Sequence, residues 1–238
     1  MKISMSPKFA KRVALALFFT ALVLTLVSFT AQLGLKPLTQ FIIAKSSLTM
    51  QESRQLARSL VGMVNVDYEQ NIPTWFSAFV LLLNSVLLAA IASTKKALGN
   101  KYVGHWWGLS VIFLMLSLDE VARIHDTVGW WLSPVFRTSG IFTYFWVVPW
   151  SVFVLFVTLT YLRFFFSLPK RVKWLFLSAG GLYVGGALGG EMVLGYMVSE
   201  SDVADKWWRL EVITEEFLEM TGATVFFYAL TGYCEDSH

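Results

Sequence analysis

The stretch WWGLSVIFLMLSLDEVARIHD, from Trp106 to Asp126, decides how the chain folds. Its first thirteen residues carry no charge, whereas five of its last eight (Asp119, Glu120, Arg123, His125 and Asp126) are ionisable. An uncharged run followed by a charged end reads as a helix crossing a bilayer, since about 20 apolar residues span the hydrocarbon core. The rest of the chain agrees. Of its 238 residues 56% are hydrophobic and 15% charged, against about 25% charged in an ordinary soluble domain.

Five further apolar runs, Val13–Leu33, Thr74–Ser93, Ile141–Leu162, Trp174–Met197 and Trp208–Thr231, join Trp106–Ile124. The expected fold is all-α: one polytopic domain over residues 1–238, a bundle of six transmembrane helices. The basic N-terminus before Val13 resembles a signal peptide, but the run to Phe29 is long and Phe29-Thr30-Ala31 is a poor cleavage site, so an uncleaved first helix is expected. The one long connection, Gly34 to Pro73, holds Leu56, Leu60, Val61 and Val64 at helical spacing against Glu52, Arg54 and Arg58, the pattern of an interfacial amphipathic helix. Asn71 and Pro73 suit the start of the helix that follows. Pro149 predicts a kink in the fourth helix.

Lysines and arginines set the orientation. Lys2, Lys8, Lys11 and Arg12, then Lys95, Lys96 and Lys101, then Arg163, Lys170, Arg171 and Lys173 occupy three segments free of acidic residues. With an even number of helices all three fall on one side, which makes it the cytoplasmic side with both termini on it. In a bacterial cell this is the cytoplasmic (inner) membrane. Trp75, Trp130, Trp131, Trp207 and Trp208 then line the outer surface, and Trp106, Trp107 and Trp174 the inner one. His105 reads as an interfacial anchor and His238 as the end of a loose tail. Besides the bilayer, the expected partner is a second copy or another membrane protein, packed on the small-xxx-small stripe of Gly180, Gly181, Gly185, Gly186, Gly189 and Gly190. No basic stripe with interleaved aromatics supports nucleic-acid binding, and the single Cys234 excludes an intrachain disulfide.

Of sixteen acidic residues, only Glu235 and Asp236 fall on the cytoplasmic side of this topology. At 1.5 Å per residue, Asp119 lies roughly 20 Å and Glu191 roughly 25 Å from the inner ends of their helices, and Glu215 roughly 10 Å from the outer end of its own. All three share the outer layer. Glu211, Glu215 and Glu219 form one stripe continued by Gly222, while Glu216 points elsewhere. Asp119, Arg123 and Asp126 share a face on which Asp119 and Arg123 can pair, and His125 joins them only if the helix ends or bends nearby.

Acids within a membrane are costly and by default mark function. Three readings stay open. A salt-bridge network would need Arg123 and Arg209 to offset far more carboxylates than they can match. A divalent-metal site (iron, manganese or zinc) would draw on Asp119, Glu120, His125, Glu191, Glu215 and Glu219, with Glu216 as general base, in a metalloenzyme for a hydrophobic or lipid substrate. A proton or cation pathway would use the same carboxylates. The metal reading lacks the Glu-x-x-His pair of di-iron bundles, and the transport reading lacks ionisable groups in the inner helix halves. A non-catalytic subunit of a larger complex is a further alternative.

The segments IPTWFS (Ile72–Ser77), LSLDEVARIHD (Leu116–Asp126) and EEFLEMTGA (Glu215–Ala223) resemble the signatures of a group of bacterial multi-spanning membrane proteins without an established activity. The resemblance implies that Asp119, Glu120, His125, Glu215 and Glu219 act as a set. It implies no reaction.

Overall fold

The computed structural model describes residues 6–136, 138–200 and 205–236, and not the side chains of residues 200, 205, 206, 235 and 236, so the expectations for Glu235, Asp236 and His238 lie outside it. The described residues are helical, without strands: α1 (Pro7–Lys45), α2 (Met50–Gly62), α3 (Ile72–Ala97), α4 (Val103–Ala122), α5 (Ile124–Leu132), a 3-10 turn (Gly140–Phe142), α6 (Val147–Ser167), α7 (Lys170–Val184), a π-helical segment (Gly185–Gly190), α8 (Glu191–Glu200) and α9 (Asp205–Asp236). Three of these, α1, α3 and α6, are long and apolar enough to cross a membrane.

Helix starts follow local chemistry. Asn71 Oδ1 accepts from Thr74 N at 3.2 Å, with Pro73 in the first turn where its missing N–H costs nothing. Thr49 and Glu52 form a reciprocal capping box on α2. Two expectations need correcting. The first helix runs to Lys45, straight through Pro37, and does not stop at Leu33. Pro149 is the third residue of α6, where its nitrogen would lack a helical partner anyway, so it causes no kink. The stripe that α2 buries is also a different one: Ser53, Ala57 and Val61 are buried, while Leu56 and Leu60 are exposed.

Helix α9 is central and packs on α1, α3, α7 and the π segment, while α3 packs most closely on α4. One core cluster joins Leu87, Leu88 and Ile91 of α3 to Trp106, Phe164, Val172, Phe226 and Leu230. A second joins Ala21, Val80 and Leu81 to Met220 and Ala223. Trp106 is therefore core rather than an interfacial anchor, at 1% exposure. His105 stacks on Phe164, with ring centroids 5.4 Å apart. Polar side chains tie the apolar helices together: Ser85 and Ser110 each donate to the other's carbonyl at 2.8 and 2.9 Å, Ser117 donates to Ala78 O at 2.8 Å, and Asn84 Nδ2 donates to Ala223 O at 2.9 Å. The outward faces are apolar instead, with Phe19, Val23, Leu26, Val86, Val111, Leu155, Phe156 and Leu159 all exposed. That is a larger apolar surface than water tolerates, and one that hydrocarbon solvates.

Leu81→Ala, at a site with no exposure, is expected to cost about 2–5 kcal/mol. Asn84→Leu should stay within about 1 kcal/mol, because interhelical hydrogen bonds in membranes average about 0.6 kcal/mol. Reversible unfolding in mixed micelles measures both.

Candidate functional site

The site begins where α4 ends. Arg123 adopts the left-handed conformation at φ +53°, breaking the rod and starting α5 at Ile124. A non-glycine residue rarely takes this backbone without compensation. Here the turn swings His125 back over α4, so that Asp119 Oδ1 accepts from His125 N at 2.8 Å and Asp119 Oδ2 lies 2.9 Å from His125 Nδ1. One carboxylate thus caps α5 and orients the imidazole, in the favourable place for a negative charge at a helix N-terminus. The bend required for His125 to join the cluster is present.

Arg123 does not pair with Asp119. Its side chain follows the turn outward, with Nε 2.8 Å from Glu69 Oε2 and Nη2 on Asp126. His125 Nε2 lies 3.5 Å from Asp126 Oδ1. Ligand atoms of Glu69, His125 and Asp126 all fall within 4.8 Å of one another. The imidazole also leans on Trp146, with ring centroids 4.7 Å apart. These ion pairs leave out Glu120, Glu191, Glu211, Glu215, Glu216 and Glu219.

Those glutamates line or flank the deeper part of the same cavity, and glycines make room for them. A Cβ on Gly190 would lie 2.8 Å from Glu211 Oε1 and 3.0 Å from Glu215 Cδ. A Cβ on Gly186 would lie 2.9 Å from Glu215 O and 3.1 Å from Glu219 Cγ. On the other side of the seam, a Cβ on Gly222 would meet Tyr183 N at 2.7 Å and Ala179 O at 2.8 Å. The expected glycine face therefore divides: Gly186 and Gly190 pack inside the chain, whereas Gly180, Gly181, Gly185 and Gly189 have open space beside them. The π segment that carries these glycines is a form often found at functional sites.

A cavity of about 580 Å³ connects everything. Asp119, Glu120, His125, Glu191, Glu215, Glu216 and Glu219 all line it. Glu216, expected to point away from the stripe, faces the same space as Glu215 and Glu219. Sequence reasoning passed over Glu69 and Asp67, which reach the cavity from the loop before α3, and the lining aromatics Tyr144, Trp146, Tyr183 and Trp208. Asp67 and Glu69 lie in a loop, and no helical periodicity marks a loop residue as facing a site. Buried oxygens Glu191 Oε2 and Glu211 Oε2 have no hydrogen-bond partner.

A family model, "Domain of unknown function (DUF8692)", matches residues 16–233. The chain belongs to the DUF8692 family. No curated protein and no solved structure matches it. The family match spans the whole cavity lining of this DUF8692 chain, from Val66 to Phe226.

Burial alone would push the His125 imidazole down, but the hydrogen bond and charge of Asp119, with Asp126 and Glu69 behind it, outweigh burial and hold it above its usual 6.5. Burial raises Glu69 despite the opposing Arg123 charge, and raises Asp67 despite a hydrogen bond with Trp208.

Two outcomes are expected. In chelator-treated protein, NMR titration should find His125 titrating above 6.5, and Asp119→Asn should lower it. Its contribution to stability is complete below about 6.5 and fades as pH rises through the raised value. Gly186→Ala should lower thermal stability by about 1–3 kcal/mol through overpacking against the α9 backbone, whereas Gly185→Ala and Gly189→Ala, with nothing within 4 Å, should leave it unchanged or raised.

Proposed function

We propose that this chain is a six-span protein of the bacterial cytoplasmic membrane whose acid-lined outer chamber binds a divalent cation. The proposed spans are α1, α3, α4, α6, the α7–π–α8 rod and α9, with both termini on the cytoplasmic side and α2 lying at the outer interface. At 1.5 Å per residue the twenty residues of α4 extend about 30 Å, the thickness of the hydrocarbon core.

The observation that carries the cation reading is the Asp119–His125 pair. A carboxylate on one ring nitrogen fixes the tautomer and turns the other nitrogen to a metal, the usual outer-shell arrangement of histidine ligands. With Asp119 on Nδ1, the ligand atom is Nε2, and Glu69 and Asp126 supply oxygens beside it. Glu120, Glu191, Glu215 and Glu219 line the same cavity as further carboxylates, and nitrogen with carboxylate donors suits iron, manganese or zinc. Glu216 stays available for proton transfer. Arg123 competes for Glu69 and Asp126, so binding requires it to swing outward, which its half-exposed side chain permits. A through-going cation path fits less well, because Phe113 and Phe176 each pack on Phe226 at 4.5 Å and floor the cavity with aromatic rings.

Protein purified without chelator is expected to carry a stoichiometric transition metal by mass spectrometry of the eluate. His125→Ala and the pair Glu69→Gln with Asp126→Asn should each abolish it. Trace metal insensitive to these substitutions would refute the site, and cation flux in liposomes lost on Glu215→Gln would establish transport instead.

A further inference from the structure

We propose that the inner half of the cavity is a slot for the hydrocarbon chain of a single-chain membrane amphiphile with an amine or hydroxyl head, held behind α6. This takes up the substrate class named above but rests on the inner end of the cavity, apart from any cation.

The cavity has two chemically different ends. Nine acidic side chains line it, all toward the outer end, with only Arg123 and His125 as lining cations. The inner end is lined by Leu109, Ile112, Phe113, Val157 and Phe176, and the ring stack on Phe226 closes it below. Its volume, about 580 Å³, lies in the range of about 300–1,000 Å³ typical of small-molecule sites. Water is a poor occupant of the inner end, because a buried water needs polar partners and these walls offer few. A hydrocarbon chain has no such need, and the surrounding bilayer supplies it in excess.

Helix α6 is the wall between slot and bilayer. Its outer end is pinned where Trp146 and Val147 pack on Leu188. Its inner end is pinned by Tyr161 Oη, which donates to His105 O at 3.1 Å, and by Phe164 against Trp106, with centroids 4.9 Å apart. Between the pins, Val154 and Val157 line the cavity, while Val152, Leu155, Phe156 and Leu159 on the opposite face are 58–63% exposed. A single helix held at its ends thus separates the slot from lipid, and a chain can enter beside its unpinned middle.

The head follows from charge. Carboxylates crowding the outer end repel a phosphate or carboxylate head, while an ammonium or hydroxyl group can donate to the buried, unpartnered Glu191 Oε2.

The test uses chelator-treated full-length protein in detergent and a long-chain alkylamine with a photoactivatable group at the chain terminus. Peptide mapping should find the label on α6 and α7 around Val157 and Phe176. Dodecylamine and dodecanol should compete; butylamine and dodecyl phosphate should not. Val157→Trp fills the slot and should cut labelling at least about tenfold, the loss of a few buried methylenes, while Val152→Trp on the outer face leaves it unchanged. If Val157→Trp fails to fold, Ile112→Phe, also at the inner end, serves as the smaller filler. Label confined to the outer face of α6, or insensitive to both fillers, would overturn the slot, and equal competition by dodecyl phosphate would overturn the head. Because metal content is not expected to change in Val157→Trp, failure here is distinguishable from failure of the cation site.

Discussion

The approach of the π segment to α9 is the contact on which the acid chamber depends. Gly186 and Gly190 leave no room for a Cβ beside Glu211, Glu215 and Glu219, and Gly222 is equally tight against the backbone of Tyr183. Small residues are how membrane helices come close, because lipid tails provide no hydrophobic drive to press them together. In this chain close approach also determines where the carboxylates can go. They lie in a seam whose width is set by missing side chains, at a distance from bulk water that makes isolated negative charge expensive.

Charge at the mouth of the chamber is handled differently. Asp119, His125, Arg123, Asp126 and Glu69 form a connected set in which each member has a partner within 3.5 Å. Its geometry depends on one left-handed residue. Arg123 supplies both the backbone turn and the side chain that bridges two carboxylates, so local strain and its compensation lie in the same residue. Deeper in, the glutamates lie outside these ion pairs. The chamber is therefore graded, from matched ions at the mouth, through carboxylates within, to aromatic rings at the floor.

Much of this was readable from residue order. Long uncharged runs gave the helices, and distances counted along them put Asp119, Glu191 and Glu215 in one layer. All three line one cavity. Rotational reasoning held where the helix is regular and failed where it is not. Asp119 and Arg123 are spaced to pair on an unbroken helix, but the turn at Arg123 removes one of them from that face. Glu216 leaves the stripe of Glu215 on a helical wheel, yet the chamber is wide enough for both. The expected end of the first helix at Leu33 came too early, since the helix continues to Lys45 and absorbs the single bond lost at Pro37. Glu69 was beyond reach because loops have no period from which to read a direction.

The length of α1 has a consequence for the chamber. Its 39 residues extend about 58 Å, nearly twice the hydrocarbon thickness of about 30 Å, so the helix is longer than a bilayer crossing needs, and α2 packs against it. Ser28 on α1 accepts from Val66 N at 3.0 Å. Val66, Asp67 and Glu69 come next in the chain and all line the cavity. The hairpin of α1 and α2 is thus tied at Ser28 to the segment that carries Asp67 and Glu69 into the chamber.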